Sequence, residues 1–240
     1  MNRGLFPTNG SSTGVTLSLT IPGSDLNYYR LNLRQRFYRP ISENFVFGFQ
    51  GELGYLDSYG DTEETPFFQN FYAGGPRSLR GFESNTLGPR TTDAPCYEFN
   101  YEEETCPNLI DIDGDGELDT PYYNPYANAT SRSRYRDRPI GGNIKVEGSL
   151  QLIFRLPFIE DQRSIRSAFF FDFGNVFSDN CKDYQINCFK PSIDDLRYSY
   201  GIGITWITGF GPLSLAIAKP TNAGPQERTE EFQFTVGNVF

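Results

Sequence analysis

Apolar and polar positions alternate with a period of two along most of this chain, and no segment carries a convincing 3.6-residue repeat. Val15, Leu17, Leu19 and Ile21 alternate with Thr16, Ser18 and Thr20, and Tyr29, Leu31, Leu33 and Phe37 alternate with Arg30, Asn32, Arg34 and Arg36. The same pattern runs through 45–55, 144–155, 169–174, 198–206, 213–217 and 232–237, which predicts about eight strands. Short turns at 39–43, 157–164 and 208–212 alternate with longer links at 22–27, 58–140, 178–196 and 220–230. A link as long as 58–140 without strands of its own is rarely a mere connector.

The two faces of these strands decide the fold class. One face is unusually aromatic, in a chain with 22 Phe and 15 Tyr. The other places Arg30, Arg34 and Arg36 side by side, which is too hydrophilic for the core of a β-sandwich. Short turns at one end and long links at the other are the asymmetry of an outer-membrane barrel. The expected fold is therefore all-β, an antiparallel transmembrane β-barrel with a long extracellular or lumenal loop. Mean hydropathy is −0.49. That value is compatible with a membrane barrel, because lipid-facing and lumen-facing residues alternate and average out.

Composition narrows the chemistry. The 240 residues carry a net charge of −9, which argues against a nucleic-acid partner, since phosphate binding needs basic clusters. The absence of histidine removes His-based triads, His general bases and His metal ligands. Four cysteines fall into two close pairs, Cys96/Cys106 and Cys181/Cys188, without the CxxC spacing of a zinc or redox site. Two local disulfides formed in an oxidising compartment are expected. The opening MNRGLFPTNG has no apolar signal-peptide core, and the chain reads as a fragment of a longer protein.

One acidic run has metal-ligand spacing. Asp111, Asp113, Asp115, Glu117 and Asp119, with Gly116 in the sixth place, match the first part of a calcium loop. Tyr122 stands where the bidentate glutamate of an EF-hand belongs, so the run reads either as a calcium site or as a solvated acidic tip. No cofactor is otherwise required.

The stretch from Phe71 to Arg90, FYAGGPRSLRGFESNTLGPR, contains the tetrad Leu79, Arg80, Gly81 and Phe82. It resembles the inward-folded sixth loop of the BamA family, the barrel subunits of the machinery that inserts outer-membrane proteins. The resemblance extends over RGLFPTNG, IPGSDLNYY, FFFDFGNVF and the closing FQFTVGNVF, and so over essentially the whole chain.

The resemblance implies that residues 1–240 are the C-terminal half of a sixteen-stranded barrel, without the periplasmic POTRA repeats. It implies a non-enzymatic role in folding and inserting nascent barrel proteins into the bacterial outer membrane. Accessory Bam lipoproteins (met mainly through the absent repeats) and outer-membrane lipids would be the other partners. The loop arginine is expected to pair inside the barrel with Asp172. Gln151 holds a position where the family often has Glu, and Glu147 or Glu52 would supply the missing anion. The signal strand, 231–240, would contribute Phe232, Phe234, Gly237 and Phe240, with Gly237 permitting an inward kink. The fragment alone is expected to be inactive and to close on itself as eight strands, expelling its loop, in preference to pairing into a sixteen-strand ring. A two-partner-secretion transporter of the same superfamily is the nearest alternative, and a passive surface barrel or adhesin the next.

Overall fold

The computed structural model describes residues 1, 6–21, 23–62, 64–90, 139–156, 164–181, 187–209, 211–224 and 227–237. Its strands are β1 (Gly10–Leu19), β2 (Tyr28–Pro40), β3 (Phe45–Ser58), β4 (Gly81–Phe82), β5 (Ile144–Phe154), β6 (Ile165–Phe177), β7 (Arg197–Thr208), β8 (Gly211–Pro220), β9 (Thr229–Glu230) and β10 (Phe232–Val236). Eight of them form one sheet in the order β1-β2-β3-β5-β6-β7-β8-β10, and β4 pairs with β9 in a separate two-stranded ladder. Every pairing is antiparallel. The chain thus meanders across the sheet, and only the insertion after β3 and the break between β9 and β10 interrupt it.

Register makes the two faces uniform, because a pleated strand sends successive side chains to opposite sides. Leu17 faces Leu31, Leu150 faces Phe171, Phe171 faces Tyr200, and Ile217 faces Phe232. That face is exposed: Val15 is 66 % exposed, Phe169 52 % and Phe234 56 %. The opposite face carries Asp172, Ser199 and Gln233, all buried. A water-soluble sheet hides its apolar face and solvates its polar one. Here the arrangement is inverted, as a strand wall in lipid requires.

The apolar cluster sits on the polar, concave side. Leu56, Phe71, Ala73, Leu79, Phe82, Leu87 and Val176 pack together, most of them from the insertion between β3 and β5. The insertion is held in place where it leaves and where it returns: Phe71 and Gly142 exchange both backbone hydrogen bonds, at 2.8 and 3.1 Å. Asn143 donates to the Leu56 carbonyl at 3.1 Å and to Asp179 at 2.7 Å. Gly54 of β3 is required there, since a Cβ would stand 2.5 Å from the Phe71 ring.

Three expectations change. The first strand begins at Gly10 and ends at Leu19, with Thr20 instead closing the hairpin by accepting from the Tyr28 N–H at 2.8 Å. The insertion after β3 is not free of strands, because Gly81–Phe82 form β4. The sheet does not close on itself: among the described residues no ladder joins β1 to β10, and the loop stays on the concave face. A closed eight-stranded barrel has room only for side chains, and this concave face is already occupied.

Cys181 and Cys188 are disulfide-bonded, with a Cα–Cα separation of 5.6 Å, and cross-link the β6–β7 connection locally. Cys96, Cys106 and the acidic run 111–119 lie outside the described residues, as does Phe240.

The lipid-facing assignment is testable at Phe171, which is 40 % exposed and stacks on Tyr198 with ring centroids 5.8 Å apart. Phe171→Arg is expected to lower the stability of the barrel in lipid vesicles by about 2–4 kcal/mol. Reversible unfolding of the full-length protein in vesicles measures this, and an unchanged midpoint counts against the assignment.

Candidate functional site

The site begins with a tight turn. The Gly75 N–H donates to the Leu79 carbonyl at 3.1 Å, the Ser78 N–H to the Gly75 carbonyl at 3.0 Å, and the Gly74 N–H to the Ser78 hydroxyl at 2.9 Å. Leu79 is buried in the apolar cluster, which fixes the direction in which the next residue leaves. Arg80 therefore projects onto the wall at β6.

There it makes a side-on fork with Asp172. Its Nε donates to Oδ2 at 2.7 Å, its Nη2 to Oδ1 at 2.7 Å, and its backbone N–H to Oδ2 at 3.2 Å. Nη2 also donates to the Ser149 hydroxyl at 3.0 Å, and the guanidinium carbon lies 3.4 Å from the centroid of the Phe170 ring. The Asp172 side chain is 1 % exposed and that of Arg80 is 15 %. Bidentate geometry, a third bond from the backbone and a cation–π face together fix a planar guanidinium in one orientation.

Gly81 follows with φ of +87°, and a Cβ there would lie 3.2 Å from the Ala218 Cβ and 3.3 Å from Pro220 Cδ. Glycine both accepts this φ and lets the motif lie flat against β7 and β8. The Gly81 N–H donates to Gln233 Oε1 at 3.3 Å, and Gln233 Nε2 donates to the Phe82 carbonyl at 2.7 Å. Leu79, Arg80, Gly81 and Phe82 thus reach from β5 and β6 on one side to the last strand on the other.

The other residues expected around Arg80 have different partners. Gln151 donates to Ser149 at 3.2 Å and accepts from Arg166 at 3.4 Å. Register explains this: Ser149 stands directly opposite Asp172, whereas Gln151 stands opposite Phe170. Glu147 accepts from the Ser78 hydroxyl and pairs with Lys145 at 2.9 Å. Glu52 accepts from Asn32 at 2.7 Å and pairs with Arg34 at 3.3 Å and Lys145 at 3.7 Å. Glu52 and Glu147 face each other across the β3–β5 ladder, and two carboxylates so placed repel. Lys145 pairs with both and offsets that repulsion.

Among the terminal residues, Phe232 and Phe234 face outward and are exposed. Gly237 has φ of +115° and donates its N–H to the Pro212 carbonyl at 3.0 Å.

Two contributors escape a reading by motif. Ser149 would have been found by aligning β5 against β6 from Asp172. Gln233 sits on the polar face of the last strand and carries no signal beyond its alternation. A cavity of about 460 Å³ opens on the short-turn side of Arg80, lined by Arg34, Arg77, Arg166, Glu52 and Glu147 among others. No group of acidic or cysteine residues among the described ones has the arrangement of a metal site.

An antiparallel membrane wall with an arginine-bearing loop folded onto its polar face defines the class: part of the wall of an outer-membrane-type β-barrel, with an inward loop. The chain belongs to the Omp85 superfamily, whose domain matches residues 1–240. It is 31 % identical to the outer membrane protein assembly factor BamA of Neisseria meningitidis serogroup B, over 98 % of this chain and 27 % of that relative. It is 23 % identical to the mouse sorting and assembly machinery component 50 homolog, over 85 % of this chain and 35 % of that protein. The crystal structure of Haemophilus ducreyi BamA lacking POTRA domains 1–3 superposes with a TM-score of 0.72 at 32 % identity, covering 98 % of this chain and 39 % of that one. The chain thus spans well under half the length of each of these relatives.

Removing one member of a buried ion pair strands the other, at a cost of about 3–5 kcal/mol. Arg80→Ala and Asp172→Asn are expected to destabilise the full-length barrel to that extent each, and the double variant by clearly less than their sum. Ser149→Ala, which removes one hydrogen bond to a charged group, should cost about 1.5–3 kcal/mol. Denaturant titrations in detergent give all four values, and an Arg80–Asp172 coupling below about 0.5 kcal/mol overturns the pairing.

Proposed function

We propose that this chain is the C-terminal part of the barrel of an outer-membrane assembly factor, which folds and inserts other β-barrel proteins into the bacterial outer membrane. Two relatives, one bacterial and one from mouse, are named for assembly, and the likeness to the bacterial one covers 98 % of this chain. The observation that carries the reading is the last strand. β10 stands at one end of the strand order, with β8 on one side and no strand among the described residues on the other.

A terminal strand paired on one side only makes an open seam. Its backbone groups are a template for the edge of an incoming strand, so that a substrate gains main-chain hydrogen bonds before it is fully folded. No covalent bond is made or broken, and the driving force is burial of the substrate's own lipid-facing surface. Nascent outer-membrane barrels are the substrates in this reading, with accessory lipoproteins acting through domains outside this chain. Since the facing side of the seam also lies outside it, the 240-residue chain alone is inactive in this reading.

Complementation tests this. In a Gram-negative host depleted of its own insertase, the full-length gene is expected to restore growth and folded porin levels, whereas the 240-residue chain does neither. Failure of the full-length gene, with its product folded in the outer membrane, overturns the reading.

A further inference from the structure

The route of the chain into its last strand is unusual. Glu227 is buried against β7 through an ion pair with Arg197 at 2.7 Å. At Glu231 the chain rejoins β8, its carbonyl accepting from the Ala218 N–H at 2.8 Å, and the ladder runs on from Phe232. Between these two points it leaves the wall and pairs with the loop motif instead, Gly81 opposite Glu230 and Phe82 opposite Thr229. The ladder continues one step further, with the Glu83 N–H donating to the Arg228 carbonyl at 2.9 Å and the two side chains forming an ion pair at 3.1 Å. The Arg228 N–H donates to the Thr86 hydroxyl at 2.9 Å. Gln233, 2 % exposed, clamps this ladder from the wall side by bonding both Gly81 and Phe82.

We infer that Gln233 is a positioning residue of a latch: the Arg80 motif, seated on Asp172, holds residues 228–230 off the wall and so withholds them from the seam strand. This rests on the assembly reading above. With the latch closed, Arg228 to Glu230 are withheld from the upstream end of the seam edge. Releasing them would lengthen that edge by three residues, about 10 Å at roughly 3.4 Å per residue, and so add template for an incoming strand. The Arg197–Glu227 pair anchors the upstream end throughout, so the released piece swings between two fixed points. Because Arg80 and Gly81 are adjacent, loss of the Asp172 seat loosens the latch as well.

The test uses the full-length protein with its native cysteines changed to Ser and a new pair, Glu83→Cys and Arg228→Cys, at directly opposed ladder positions. Oxidation is expected to cross-link the pair and lower insertion of a reporter barrel into proteoliposomes at least tenfold. Reductant should restore it, with the heat-dependent gel shift of the folded barrel unchanged. Activity within twofold of the reduced form overturns the requirement for release. Adding Gln233→Leu or Arg80→Ala is expected to slow cross-linking at least fivefold within the folded fraction, with Gln233→Glu intermediate because it keeps only the acceptor. A role confined to stability would change the amount of folded protein and leave that rate alone, and an unchanged rate overturns the latch. The rate is read without reference to activity. A protein that cross-links as described but inserts nothing in any redox state therefore refutes the assembly reading and not the latch geometry.

Discussion

Everything on the concave side of this sheet depends on one charge pair. Arg80 and Asp172 lie 92 positions apart in sequence, and each would be a buried, unpaired ion without the other. An apolar pair of similar volume would fill the same space, but it would tolerate several seatings of the loop. A guanidinium forked onto a carboxylate, stacked on Phe170 and backed by its own backbone N–H accepts one. The apolar cluster follows from that seating. Leu79 and Phe82 flank the arginine on either side, and both are buried against the insertion that carries them.

The membrane sets the second constraint, and it explains why the pair sits where it does. With the outer face given to lipid, hydrophobic burial between sheet and solvent is not available to hold the loop. What remains inside is a mostly polar wall: Leu56 and Val176 join the loop's apolar cluster, and the other contacts are ionic or hydrogen-bonding, Ser78 on Glu147, Arg80 on Asp172 and Ser149, Gly81 and Phe82 on Gln233. The low dielectric strengthens each such bond and makes each unpaired group costly. Lys145 between two opposed glutamates obeys the same rule.

The strands were legible because the lipid face imposes strict alternation over long runs, so Leu31 or Phe171 announces its side without help from neighbours. The importance of Leu79–Phe82 was legible only through resemblance, since an Arg-Gly in a polar stretch has no periodicity. Register was not legible: Asp172 was the expected partner of Arg80, but the second contact was misjudged, since Ser149 rather than Gln151 lies across from Asp172. The start of the first strand was missed because Gly10, Ser11, Ser12 and Thr13 lack apolar alternation yet pair with β2 all the same. The break between β9 and β10 is tertiary in origin. Nothing in Thr229–Glu230 forbids continuing along β8; the loop competes for its backbone.

That competition reconciles two opposed demands on the seam. An open strand edge in hydrocarbon carries backbone groups that cost several kcal/mol each when unsatisfied, so a barrel that keeps an exchangeable edge must shorten it or cover it. Here the loop does both. It withdraws the upstream residues from the wall, and it supplies hydrogen-bond partners to those it withdraws, through Gly81, Phe82 and Glu83 on one side and Arg228 to Glu230 on the other. β10 is tied down on its lumenal side by Gln233. On the assembly reading proposed above, the hydrogen bonds between the loop and Arg228 to Glu230 can be exchanged for those of a substrate strand at little net change in their number, which is the condition for a seam that opens and recloses without an external energy source.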